Sequence, residues 1–167
     1  MRYTLIIFDL DGTLLDTSAG ALKSIDFTID ILGLAPLSDE VKKSFIGPPI
    51  YDSLKNTYGM DDILAAKATA IFRDVYKNNF LYEAEIYKDM ESVLSSLKNR
   101  GYKLAVATYK REDYAAMLIE RFNLSRYFDF IKGADNEGIL KKQDIAEMCI
   151  AYCGAEKERS VLIGDTH

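Results

Sequence analysis

The chain has 167 residues, 49% of them apolar, with 21 basic against 26 acidic residues and a net charge of -5. That allows one substantial core, or one core with a small inserted domain. Basic residues gather only in pairs such as Lys42-Lys43, Lys110-Arg111 and Lys141-Lys142, which argues against duplex nucleic acid as a partner. No apolar stretch is long enough to span a bilayer, and no charged leader precedes the first apolar run, so a cytoplasmic protein is expected.

The first element is Leu5-Ile6-Ile7-Phe8, followed by Asp9-Leu10-Asp11-Gly12-Thr13. A short apolar run with β-branched residues suits a strand covered on both faces, as in a parallel α/β sheet. Alternate residues on extended backbone face the same way, roughly 6.6 Å apart. Asp9 and Asp11 therefore serve one site. Two such carboxylates repel each other, so a cation lies between them or one keeps its proton. Gly12 lets the chain bend at the strand end, where phosphate-handling α/β proteins keep their chemistry.

After Asp16 and up to about Phe80 the pattern reads as several helices in succession. Thr17 or Ser18 caps a first helix with Ala21, Leu22, Ile25, Ile29 and Leu32 at helical spacing, stopped by Gly33. Ser38 opens a second that halts at Gly47-Pro48-Pro49. A third spans about Ile50 to Tyr58. A fourth runs from about Asp61 to Asn79, with Ile63, Leu64, Ala68, Ile71, Phe72 and Val75 on one side. From Tyr87 onward helices and strands alternate: helix Met90–Asn99, strand Lys103–Ala107, helix Glu112–Phe122, strand Phe128–Lys132, helix Gln143–Tyr152, strand Ser160–Ile163. This alternation predicts parallel strands joined by right-handed crossovers. The expected fold is α/β, a doubly wound parallel-sheet core of residues 1–15 and 84–167 interrupted by an all-helical cap of residues 16–83. Cys149 and Cys153, four apart on a helix, read as buried or half-buried thiols, since no second ligand pair lies nearby.

In a parallel sheet, functional groups gather at the strand carboxyl ends. Thr108 ends the strand Lys103–Ala107, with Tyr109 and Lys110 after it. Lys141 and Lys142 open the helix Gln143–Tyr152, against the helix dipole, so one of them needs an anionic partner. Gly164-Asp165-Thr166-His167 follows the last strand.

The string from Phe8 to Asp16 closely resembles the first motif of the haloacid dehalogenase-like hydrolases, and Thr108, the Lys142-Gln143-Asp144-Ile145 register and Gly164-Asp165 resemble its later motifs. The resemblance implies a magnesium-dependent phosphomonoester hydrolase acting on a small phosphorylated metabolite through an aspartyl-phosphate. By the same resemblance Asp9 is the nucleophile and Asp11 the general acid and base. Magnesium is held by Asp9, Asp165 and the main-chain carbonyl of Asp11, and Thr108 and Lys142 hold phosphoryl oxygens. Lys142 is favoured over Lys141 by register. Tyr109 lines the pocket mouth, and Gly47, in a Phe45–Pro49 segment resembling phosphoglycolate phosphatase-like members, contacts substrate. His167 is expected to be a bystander. Relatives continue past the fourth motif with a second acid, so a C-terminally shortened form is expected. The alternatives are a sugar-phosphate mutase using the same acids, an inactive binding protein on this fold, and a receiver-like signalling domain, which the helical insertion disfavours. Phosphoglycolate, a nucleotide, pyrophosphate and sugar phosphates all remain open as substrates, and so does the oligomeric state.

Overall fold

The structure is a computed structural model describing residues 3–136 and 139–165. Thr166 and His167 lie outside the described residues. The apolar run Leu5–Phe8 forms strand β1, buried along its whole length. After the Asp9–Leu14 loop comes β2, only Leu15–Asp16. The chain divides into two compact units: Thr17–Ala84 is one, and the described residues on either side of it make the other.

The inserted unit contains four α-helices. Helix α1 (Ser18–Leu32) buries Ile25 and Ile29 and closes at Gly33, whose φ of 62° is left-handed. Thr17 stands at its start but makes no capping bond with its side chain. Helix α2 is only Asp39–Lys43; Ser38 caps it by accepting from the Val41 N–H. It stops short of the expected Gly47-Pro48-Pro49. Helix α3 is Ile50–Tyr58, and α4 is Asp62–Val75, where the Asp61 carboxylate accepts from the Leu64 N–H. A π-helical turn, Tyr76–Phe80, completes what the sequence predicts as one helix to Asn79. The buried face of α4 also differs. Ile63 and Leu64 are 83% and 39% exposed, while Ala65, Ala68, Thr69 and Val75 are buried. Periodicity selects the bulky stripe, but the α4 residues buried in this unit's core with Ile25, Ile29, Phe45, Leu54 and Met60 are Ala65 and Ala68, with Phe72 partly buried against them.

The chain re-enters the first unit as β3 (Glu85–Ile86), which pairs antiparallel with β2, Leu15 opposite Ile86 and Asp16 opposite Glu85. A two-residue strand carries no periodicity, so this ribbon has no sequence signature. Then come α5 (Met90–Asn99), β4 (Lys103–Arg111), α6 (Glu112–Arg121), β5 (Phe130–Ala134), α7 (Lys142–Tyr152) and β6 (Ser160–Ile163). Against expectation, β4 runs on past Ala107, and β5 lies two residues later than Phe128–Lys132.

The main sheet has the order β5-β4-β1-β6, and every pairing in it is parallel. The chain steps outward from β1 through β4 to β5, then crosses back to the far side of β1 for β6. That reversal beside β1 opens a crevice at the strand carboxyl ends. One side of the sheet is covered by α7: Ile145, Cys149 and Cys153 pack with Leu5, Ile7, Ala105 and Ala107. Burial pushes the Cys149 thiol up to about 12, and its Sγ sits 3.4 Å from the Val106 carbonyl. Both cysteines are buried and free. Strand β6 lies at the edge, with Leu162 and Ile163 44% and 40% exposed. Among the described residues no helix is long and apolar enough to cross a membrane.

Candidate active site

β1 hands its hydrogen-bond ladder to the first acid. With Phe8 in register with both Val106 and Ile163, the Asp9 N–H donates to the Ile163 carbonyl at 2.8 Å. This fixes the Asp9 backbone one residue beyond the strand. Its carboxylate accepts the Leu10 N–H at 2.7 Å through Oδ1 and meets Lys142 Nζ at 2.5 Å through Oδ2. The two side chains are only 14% and 22% exposed, so this pair is poorly screened.

The next residues curl around one carbonyl. The N–H groups of Thr13, Leu14 and Leu15 all converge on the Leu10 oxygen, and the Gly12 N–H donates to Leu15 at 2.9 Å. The loop presents Asp11, whose Oδ1 lies 2.9 Å from Lys110 Nζ. Gly12 has a φ of +75°, and a Cβ there would come within 2.2 Å of Asp165 Oδ2. Two separate demands therefore require glycine, and the second shows that the Asp165 carboxylate lies directly against the Asp9–Gly12 loop. Thr13 Oγ1 is buried without a hydrogen-bond partner.

Thr108 is 1% exposed, and its Oγ1 accepts the Lys110 N–H at 3.1 Å. It sits in a bulge. Between Ala107 and Arg111 β4 takes four steps, while β5 takes two from Lys132 to Ala134. Bulges of this kind re-aim side chains beside active sites. Gly133 accommodates it, because a Cβ there would lie 2.5–2.6 Å from the backbone of Glu112 and Lys110. Beyond the bulge Tyr109 reaches α7: its hydroxyl accepts the Lys142 N–H at 3.0 Å, and Lys142 Nζ lies 5.5 Å from its ring centre. The Lys141 backbone N–H donates to the Asp144 carboxylate at 2.9 Å.

Asp9, Asp11, Asp165, Lys110 and Lys142 are thus tied into one strand-end cluster, with Thr108 and Tyr109 in the adjoining bulge. Gly47 belongs to the inserted unit, at an exposed turn with a φ of +100° and nothing within 4 Å of where a Cβ would sit. Its backbone conformation alone accounts for glycine there. No sequence pattern links Lys110 to Asp11, so this pair emerges only in the fold. Tyr87, just after β3, was also passed over. Burial and the negative charges of Asp16 and Asp165 raise its phenol above the ordinary value.

Among the described residues no three His, Cys, Asp or Glu side chains gather closely enough to hold a metal by themselves. The donors at the strand end are two carboxylates, Asp9 and Asp165, and main-chain carbonyls. That sparse, all-oxygen set fits magnesium, which keeps several waters and takes one or two carboxylates. It does not fit zinc.

Residues 6–167 match the family model described as haloacid dehalogenase-like hydrolase. A protein of Pseudomonas aeruginosa named 5'-nucleotidase is 32% identical over 166 residues, covering 99% of this chain and 75% of that protein. One of Aquifex aeolicus named phosphoglycolate phosphatase is 30% identical over 162 residues, covering 96% of this chain and 75% of its own length. The crystal structure of a predicted phosphatase from Clostridium acetobutylicum superposes with a TM-score of 0.92 at 32% identity, over 99% of this chain and 77% of that one. The motif strings, the strand order with its acids at the reversal, and these matches agree: the chain belongs to the haloacid dehalogenase-like hydrolases.

Proposed function

We propose that this protein is a magnesium-dependent phosphatase of small phosphorylated metabolites, working through a covalent aspartyl-phosphate on Asp9. The observation that carries the reading is the pair of acid–lysine contacts at the end of the central strand, Asp9 with Lys142 and Asp11 with Lys110, with Asp165 set against the Gly12 turn between them.

In the first half-reaction a carboxylate oxygen of Asp9 bonds to phosphorus while the ester P–O bond breaks. Asp11 gives its proton to the departing alkoxide. In the second, water attacks the aspartyl-phosphate, Asp11 takes the proton back, and the acyl-phosphate bond breaks to release inorganic phosphate and free Asp9. The Thr108 hydroxyl and the Lys142 ammonium hold phosphoryl oxygens as charge spreads over them in a loose transition state. Asp9, Asp165 and the Asp11 carbonyl would hold magnesium, which would supply neutralisation of the phosphate's charge. Lys110 orients Asp11. The inserted helical unit and its Gly47 turn select the substrate. Two relatives with different names, a 5'-nucleotidase and a phosphoglycolate phosphatase, favour the general class of phosphomonoesters over any single one.

The test is a panel of phosphorylated metabolites and an aryl phosphate, assayed with magnesium for inorganic phosphate. An acid-quenched sample is then searched by mass spectrometry for a phosphoryl group on the peptide containing Asp9. Release of phosphate with the adduct on Asp9 supports the proposal. Isomerised sugar phosphate without free phosphate would indicate a mutase, and no turnover across the panel would indicate a binding protein.

A further inference from the structure

We infer that Tyr109 is a positioning residue that holds Lys142 on Asp9. The inference rests on the proposed role of Lys142 at the phosphoryl group. Lysine has four rotatable bonds and a strongly hydrated ammonium, so at the entrance of a helix, where the dipole repels it, it would ordinarily reach for water. Here it does not. Lys142 Nζ lies 2.5 Å from Asp9 Oδ2 and 22% of its side chain is exposed.

Tyr109 constrains that lysine at both ends. At the backbone, Lys142 is the first residue of α7, where the N–H has no partner within the helix. The Tyr109 hydroxyl accepts it at 3.0 Å. At the tip, the ammonium lies 5.5 Å from the same ring, within range of the ring's negative face. One side chain from the β4 bulge thus fixes the helix start and shelters the lysine head. Tyr109 is itself 38% exposed, so it can be changed without opening the core. A small residue at 109 would leave the α7 N–H to water and the ammonium free to swing off Asp9.

The test uses the full chain with two variants. Tyr109→Phe keeps the ring and removes the acceptor; Tyr109→Leu removes both. By nuclear magnetic resonance, the Lys142 ε-methylene protons of the parent should show a ring-current shift that Tyr109→Phe retains and Tyr109→Leu loses. The Lys142 amide should exchange roughly tenfold faster in both variants, matching the loss of one hydrogen bond. With p-nitrophenyl phosphate, kcat/KM should fall about threefold in Tyr109→Phe and roughly twentyfold in Tyr109→Leu, from the hydrogen bond and the ring contact together. Lys142 resonances identical in the parent and Tyr109→Leu overturn the inference, as does a Tyr109→Leu kcat/KM within twofold of an active parent. If the parent turns over no phosphomonoester yet the Lys142 signals change as described, the phosphatase reading falls and the hold of Tyr109 on Lys142 stands.

Discussion

Asp9 accepts the Leu10 N–H through Oδ1 and meets Lys142 through Oδ2; an amide keeps the shape and its one oxygen can still accept the Leu10 N–H, while its NH2 cannot accept from Lys142 and only that pair is lost. Asp9→Asn should therefore fold as the parent does, with a melting temperature within a few degrees, while phosphate release falls by at least roughly a thousandfold because the nucleophile is gone. Retained activity within tenfold would place the covalent chemistry elsewhere. Gly12 offers a second test at this scale. An alanine there meets a positive φ, costing about 1–2 kcal/mol, and its methyl displaces the Asp165 carboxylate. Gly12→Ala should lower the midpoint of urea unfolding and raise the magnesium concentration needed for half-maximal rate. A shift in stability alone would show that Asp165 does not serve the metal.

At the scale of elements, the sheet is tied to α5 and to the turn before β5 through one carboxylate. Burial by itself would raise Asp129, but hydrogen bonds from Lys98 and from the Leu104 N–H outweigh it and hold the group below its ordinary value. The Leu104 contact is 2.8 Å, and Lys98 Nζ reaches the two oxygens at 3.0 and 2.9 Å. A carboxyl depressed in the folded state adds stability that is fully present above its unfolded value, about pH 4. That stability is lost as pH falls through the lower folded value. Asp129→Asn should thus lower the unfolding midpoint at pH 7, and the gap between parent and variant should close as the pH falls through the lowered folded value. A gap independent of pH would mean that shape, not charge, holds this corner.

For the whole molecule, the pairing of β2 with β3 matters most, because it brings together the two ends of the excursion through Thr17–Ala84. Replacing that unit with Asn-Gly should leave a hairpin, since such a turn matches the twist of adjoining antiparallel strands. The sheet and the acid-lysine cluster lie wholly in the remaining unit, so the shortened protein should show native far-ultraviolet dichroism and cooperative unfolding. It should still hydrolyse p-nitrophenyl phosphate while losing most of its discrimination among metabolites. Unchanged discrimination would remove the inserted unit from substrate selection.

The strand β1, the acids after it and the alternation from α5 to β6 were legible in the sequence, because burial on two faces imposes apolar runs and crossovers impose alternating periods. Local chemistry also stopped α1 at Gly33 and α3 at Gly59. What only the tertiary structure decided involves residues far apart in the chain. Lys110 pairs with Asp11 because a bulge, opposite a glycine on the neighbouring strand, turns it there. Tyr109 holds the start of α7 although 33 residues separate the two partners, and α4 buries alanines rather than Ile63 because its neighbours come close. Periodicity reports which residues avoid water; which groups meet is set by register, bulges and close approach, and these depend on atoms that one segment alone does not contain.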